Sequence, residues 1–262
     1  MTDWSSGDVT VNGVRLHYHR TGNGDRPPLV LLHGFSDAGL CWSRVARDLE
    51  SAFDVVMPDA RGHGASERAG SSFDPSLRAA DAAGVIEALG LGGAIVGGHS
   101  MGAATAAEIA TGRPELVGRL VLEDPPWRDA TGAPDRGRWD YLRRCQEMPP
   151  EDVPAYGREL HPTWDEAEIG PWAAAKLAFD LALLDARAMG SPRPWRSVAA
   201  GIRCPALLVT ADVELGAIVT ADAAAEAARR GGVRIEHIAG AGHNIRRERY
   251  DRYIEALRAF VA

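Results

Sequence analysis

Positive charge is in short supply in this chain. Its 262 residues hold 29 lysines and arginines against 36 aspartates and glutamates, a formal net charge of -7. Lys176 is the only lysine, so almost every cation is an arginine. No basic face is implied, and a nucleic-acid partner is not expected. Cysteine is also sparse. Cys41, Cys145 and Cys204 are odd in number, far apart and without a C-x-x-C spacing, which argues against a disulfide framework or a zinc site. No apolar run approaches the ~20 residues that a membrane span requires. The opening residues lack the basic start and apolar stretch of a secretory leader, so the expected setting is cytoplasmic, with no membrane partner. Neither a cluster of metal ligands nor a phosphate-binding loop is visible, and no cofactor or metal is expected.

What is present suits an ordinary globular chain, 45% hydrophobic and 25% charged, long enough for one large domain or a domain with an insertion. Asn12-Gly13 between Val9–Val11 and Val14–Tyr18 is a hairpin signal. Apolar runs then recur at Leu29–Leu32, Val55–Met57, Ala94–Val96, Leu120–Leu122 and Ala206–Val209. They are continuous rather than alternating, the pattern of strands buried on both faces. Helical spacing separates them at Leu40–Leu49, Leu77–Leu89 and from Ala103 onward. Thr220–Arg229 and a closing segment, Ile245–Val261, also read as helices, with a last strand at Val233–Ile238. Strands alternating with helices predict a mostly parallel sheet covered on both sides, an α/β architecture with its site at the carboxyl ends of the strands.

Between Pro125 and Trp195 this rhythm stops. Prolines are dense, no strand-like run is visible, and Trp127, Trp139, Trp164, Trp172 and Trp195 appear, with strong helical character over Trp172–Ala188. The expected organisation is a core of residues 1–124 and 196–262, with residues 125–195 inserted as a helical cap.

The most informative stretch is Gly98-His99-Ser100-Met101-Gly102, between the Ala94–Val96 strand and an alanine-rich helix. G-x-S-x-G at a strand-to-helix junction is a tight turn that lifts the serine hydroxyl out of the sheet and aims a helix N-terminus at it. Ser100 is therefore the candidate nucleophile. Together with His33-Gly34-Phe35, Pro58-Asp59-Ala60-Arg61-Gly62-His63-Gly64 and Gly242-His243, in this order along nearly the whole chain, the stretch resembles the α/β-hydrolase family.

The resemblance implies an α/β-hydrolase fold and a serine, acid, histidine chain order. His243, in the loop before the final helix, falls on the base. The family keeps its acid just after the strand that follows the cap, in a Gly-x-x-Asp pattern. Here Ala211 replaces the glycine and Glu214 falls on the acid position, which makes Glu214 the leading candidate, with Asp212 and Asp124 as alternatives. The oxyanion hole falls on the backbone N–H groups of Phe35 and Met101. Asp59, Arg61, His33 and His63 match loops that are structural in the family.

The implied activity is hydrolysis of a carboxylic ester or lactone through an acyl-enzyme on Ser100, with a small-molecule substrate. Haloalkane dehalogenases and epoxide hydrolases of this fold carry aspartate where Ser100 stands. A C–C bond hydrolase, a cofactor-free perhydrolase, or a slow-turnover ligand-binding or signalling protein would use the same residues. Oligomeric state is not encoded in any of these signals.

Overall fold

A computed structural model describes residues 4–69, 73–129, 139–184 and 193–262. Its centre is an eight-stranded sheet. The strands are β1 (Ser5–Val11), β2 (Val14–Arg20), β3 (Pro28–Leu32), β4 (Asp54–Pro58), β5 (Ala94–His99), β6 (Val117–Glu123), β7 (Ala206–Ala211) and β8 (Arg234–Ile238). They lie in the order β1-β2-β4-β3-β5-β6-β7-β8. Only β2 runs against its neighbours; from β4 to β8 every pairing is parallel. The β1–β2 hairpin turns on Asn12 and Gly13 at φ 49° and 74°, the left-handed pair that such a two-residue turn requires.

The continuous apolar runs have the expected cause. Leu29, Leu31, Val55, Met57, Val121, Leu207 and Val209 face one side of the sheet, against α1 (Ser43–Leu49) and the last helix. Their neighbours Val30, Leu32, Val56, Val96, Leu120, Leu122 and Leu208 face the other. There α2 (Pro75–Ala88) and α3 (Met101–Gly112) cover them. Because successive side chains point to opposite faces, a strand covered twice must be apolar at every position.

Between β6 and β7 the described residues contain α4 (Asp140–Glu147), α5 (Val153–Leu160) and α6 (Glu166–Ala178), then α7 (Trp195–Gly201). Cys145, Val153, Trp172 and Ala173 give α4 to α6 a small core of their own. The expected helix over 172–188 begins earlier, at Glu166, capped by Asp165, and gives way after Ala178 to a short 3-10 turn at Leu181–Leu184. Residues 185–188 lie outside the described residues, as do 130–138 of the same stretch.

After β7 comes α8 (Ala221–Gly231), whose N-terminus is capped by the Thr220 side chain. The closing segment is not one helix. It splits into α9 (Ile245–Glu248) and α10 (Tyr250–Val261) at Arg249, whose φ of -136° interrupts the helical path. No helix among the described residues is long and apolar enough to cross a membrane.

Candidate active site

Ser100 stands between β5 and α3 at φ 52°, ψ -113°, a backbone conformation that a non-glycine residue adopts only when its surroundings enforce it. The enforcement is visible. Its N–H donates to the Glu123 carbonyl at 2.9 Å, and its own carbonyl accepts from Ala104 N–H at 3.0 Å. Either flanking glycine would collide with backbone if it carried a Cβ, Gly98 with Gly102 and Gly102 with the Leu32 carbonyl. The small residues of G-x-S-x-G are thus dictated by close packing of the turn against β3.

His243 lies in the loop between β8 and α9. Its Nδ1–H donates to Asp124 Oδ2 at 2.6 Å, which leaves Nε2 with a free lone pair. His99, the variable residue of the motif, holds this loop from below: its Nε2–H donates to the His243 carbonyl at 2.9 Å, and the two rings lie 4.7 Å apart. Burial, followed by the fields of His243 and Arg246, keeps the His99 imidazole well below its usual pKa, hence neutral.

The acid differs from the leading expectation. Glu214 sits exposed on a one-turn 3-10 helix, Val213–Leu215, and makes no hydrogen bond or ion pair among the described residues. Asp212 is also diverted, accepting from Gly240 N–H at 2.7 Å and facing His237 Nε2 at 3.0 Å. The carboxylate on His243 is Asp124, fully buried at the end of β6 with φ 41°. Besides His243 it accepts from the backbone N–H groups of Ile218 and Val219 at 2.8 and 2.9 Å. The post-β7 loop thus supplies main-chain donors to the carboxylate that bonds His243, and not that carboxylate itself. A family spacing laid over Ala211–Leu215 could not reveal this; the sequence signal was the Glu123-Asp124-Pro125-Pro126 strand end.

Phe35 and Met101 line the same cavity as the serine. Met101 opens α3, where the first N–H groups have no helical acceptor, and no described carbonyl accepts from Phe35 N–H. The Phe35 ring is fixed edge-on by Trp139 and Phe179 at 4.8 and 5.1 Å. The other loop residues that the resemblance singles out bond within the protein scaffold. His33 accepts from Ala60 N–H at 3.0 Å, Asp59 accepts from Gly39 and Ala65 N–H, and Arg61 pairs with Asp81.

Ser100 and His243 open into a cavity of about 530 Å³. All five tryptophans of the 125–195 stretch line it, with Trp127 stacked on Trp195 at 5.8 Å. Part of the cavity wall is a buried ion cluster that the sequence did not announce. Lys176 of α6 bonds Asp37 at 3.0 Å and the Ser36 carbonyl at 2.7 Å; Arg247 bridges Asp37 and Glu168, both at 3.2 Å; Arg246 pairs with Glu123 at 3.1 Å. Burial pushes the Asp37 carboxyl up, but Arg247, Lys176 and Arg246 outweigh it and hold it well below the ordinary carboxylate range. The only sequence hint was the isolation of Lys176 as the sole lysine.

Residues 29–256 match the Alpha/beta hydrolase family. Among curated relatives, a soluble epoxide hydrolase of Corynebacterium sp. (strain C12) is 36% identical over 123 residues, covering 47% of this chain and 42% of that protein. An N-formylmaleamate deformylase of Pseudomonas putida is 41% identical over 125 residues, 47% of this chain and 46% of the relative. The matched stretches therefore span less than half the length of these relatives. In three dimensions, the chain superposes on an N-formylmaleamic acid deformylase from Pseudomonas putida S16 with a TM-score of 0.81 at 24% identity, covering 97% of this chain and 100% of the other, a likeness of fold.

Proposed function

This chain belongs to the alpha/beta hydrolase family, and on that footing we propose that it cleaves a carboxylic ester or lactone through an acyl-enzyme on Ser100. His243 is the general base and Asp124, in place of Glu214, the orienting acid. The observation that carries the reading is the 2.6 Å bond from His243 Nδ1–H to a buried Asp124, beside a serine held at φ 52° on the rim of the same cavity.

A serine hydroxyl is a weak nucleophile until a base takes its proton during attack. In the proposed cycle Ser100 Oγ bonds to the acyl carbon as His243 Nε2 takes the hydroxyl proton. The carbonyl π electrons move to oxygen, where the Phe35 and Met101 N–H groups receive them. Collapse breaks the C–O bond, and the departing oxygen takes the proton from Nε2. From an ester an alcohol leaves; from a lactone the hydroxyl stays attached to the acyl chain. Water repeats the sequence on the acyl-enzyme and regenerates Ser100. Asp124 keeps the proton on Nδ1 and stabilises the transient imidazolium.

Residues 125–195 act in this reading as a cap, α4 to α6 roofing the cavity with aromatic walls that suit a partly apolar substrate. A second reading, cleavage of an N-formyl amide, is favoured by the 41% identity to the deformylase; the chemistry is the same with nitrogen as the leaving atom.

The test is hydrolysis of a short 4-nitrophenyl ester, an acyl lactone and an N-formyl amide by wild type and Ser100→Ala. Turnover of at least one that disappears in Ser100→Ala, with an unchanged circular dichroism spectrum, supports the acyl-enzyme. Activity retained by Ser100→Ala refutes it.

A further inference from the structure

The cavity is positive in a negative protein. Among the described residues, five cations line it, Arg78, Arg128 and Arg193 included, against two carboxylates, Asp37 and Glu108. Both carboxylates are committed, Asp37 to Lys176 and Arg247, and Glu108 to Arg193 at 2.5 Å. Arg78 is different from the other cations of the inner wall.

Arg78 projects from the first turn of α2 beside Met101 and Thr105 of α3, and it also borders a small cleft of about 30 Å³ that these residues share. Its Nη1 donates to the Phe73 carbonyl at 2.8 Å, and its guanidinium lies 4.7 Å above the Phe73 ring. Among the described residues no carboxylate bonds to it. Asp74 is turned to cap α2 at Leu77 N–H, and Glu108 is taken by Arg193. Its Nε is buried with no acceptor among the described residues. Burial lowers its pKa to about 10, partly countered by Asp74 and Glu108, so it remains a cation at neutral pH. A half-buried guanidinium with an unused N–H is an incomplete anion site, because its planar fork matches a carboxylate bidentately.

Resting on the hydrolase reading, we propose that the substrate carries a carboxylate remote from the scissile acyl group, and that Arg78 binds it. Ser100 and Arg78 then hold the two ends of one molecule. The bond to be cleaved sits at the Phe35 and Met101 N–H groups, and the anionic end sits on the α2 side of the cavity. The aromatic lining between them accommodates the connecting carbons.

The probes are 4-nitrophenyl hydrogen adipate and its neutral methyl ester, followed by nitrophenolate release, with free adipate as a binding ligand for the Ser100→Ala protein by calorimetry. Wild type is expected to favour the acid over the methyl ester at least tenfold in kcat/KM. Arg78→Met should lower that ratio at least tenfold, chiefly through KM, and Arg78→Lys should restore part of it. Adipate affinity in the Ser100→Ala background should fall at least tenfold with Arg78→Met. Equal turnover of the two esters by wild type, or a ratio unmoved by either variant, overturns the carboxylate site while leaving the hydrolase reading in place. Arg78-dependent adipate binding by a protein that hydrolyses neither adipate ester, nor the short ester, the lactone or the N-formyl amide, overturns the hydrolase reading and keeps the site. Should Arg78→Met fail to fold, Arg78→Lys and wild-type discrimination decide on the same criteria.

Discussion

Replacing Asp124 by Asn changes one atom and no volume, yet the hydrogen bonds around it leave the amide no acceptable orientation. Asp124 Oδ1 accepts from Ile218 N–H at 3.1 Å and Val219 N–H at 2.9 Å, while Oδ2 accepts from Ile218 N–H at 2.8 Å and His243 Nδ1–H at 2.6 Å. Every neighbour is a donor, and a carboxylate can serve them all. If the amide NH2 takes the Oδ1 side, it faces two backbone N–H groups. If it takes the Oδ2 side, His243 Nδ1 must become an acceptor. The ring proton then moves to Nε2 and removes the lone pair meant for Ser100. Wrong-tautomer enzymes of this kind lose about 10⁴-fold in kcat, which corresponds to about 5.5 kcal/mol of barrier. The mismatched buried donors cost a further ~1–3 kcal/mol of stability. The assay is kcat/KM on a chromogenic ester for Asp124→Asn and Glu214→Gln, with a urea titration of each. Glu214→Gln, altering an exposed side chain, should stay within about threefold of wild type on general surface-mutation grounds. Retention of more than a tenth of wild-type activity by Asp124→Asn, or a comparable loss in Glu214→Gln, would refute the assignment.

Three further outcomes follow from the packing. Lys176→Met strips one cation from a buried cluster and leaves Asp37 under-compensated; a loss of roughly 3 kcal/mol in a urea titration is expected from the usual cost of breaking a buried pair. Gly98→Ala and Gly102→Ala should each abolish turnover and lower the melting temperature, since a methyl at either position overlaps backbone of the elbow; a wild-type melting curve would contradict the close approach. Burial drives the pKa of His63 and His99 well below the usual 6.5. The unfolded chain therefore binds protons near pH 6.5 that the folded chain rejects. Stability should be full above pH 6.5 and fall below it, by on the order of 1 kcal/mol per pH unit for each histidine. Urea midpoints that do not move between pH 7.5 and 5.5 would show that these rings titrate normally.

The sheet was legible because double coverage forces strands such as Leu29–Leu32 and Ala206–Val209 to be apolar throughout, and little else produces that signal. Ser100 and His243 were legible because steric demand around the elbow and the loop before α9 is written in glycines. The acid was not. Three carboxylates lay within reach of plausible loops, and choosing among them depends on where β6 ends relative to β7, a tertiary fact without a local pattern. The break at Arg249 was invisible for a related reason: the apolar spacing of Ile245, Tyr253, Ile254 and Leu257 continues across it. Likewise nothing in the order of residues says that Lys176, Asp37, Arg246 and Arg247 meet, because they come from three separate segments.

With Asp124 just past β6 as the proposed acid, the loop after β7 contributes to the triad only through amide hydrogens at Ile218 and Val219. Its side chains are free to drift, since any residue with an N–H can fill the same role. Selection at 213–219 would then act on the path of the main chain, and its one strong signature would be the exclusion of proline at 218 and 219. On the proposed assignment, an acidic residue gained or lost there, Glu214 included, carries no catalytic information. On the same assignment, a search for the acid by its place in a motif lands on this bend, while the carboxylate that bonds His243 stays one strand away.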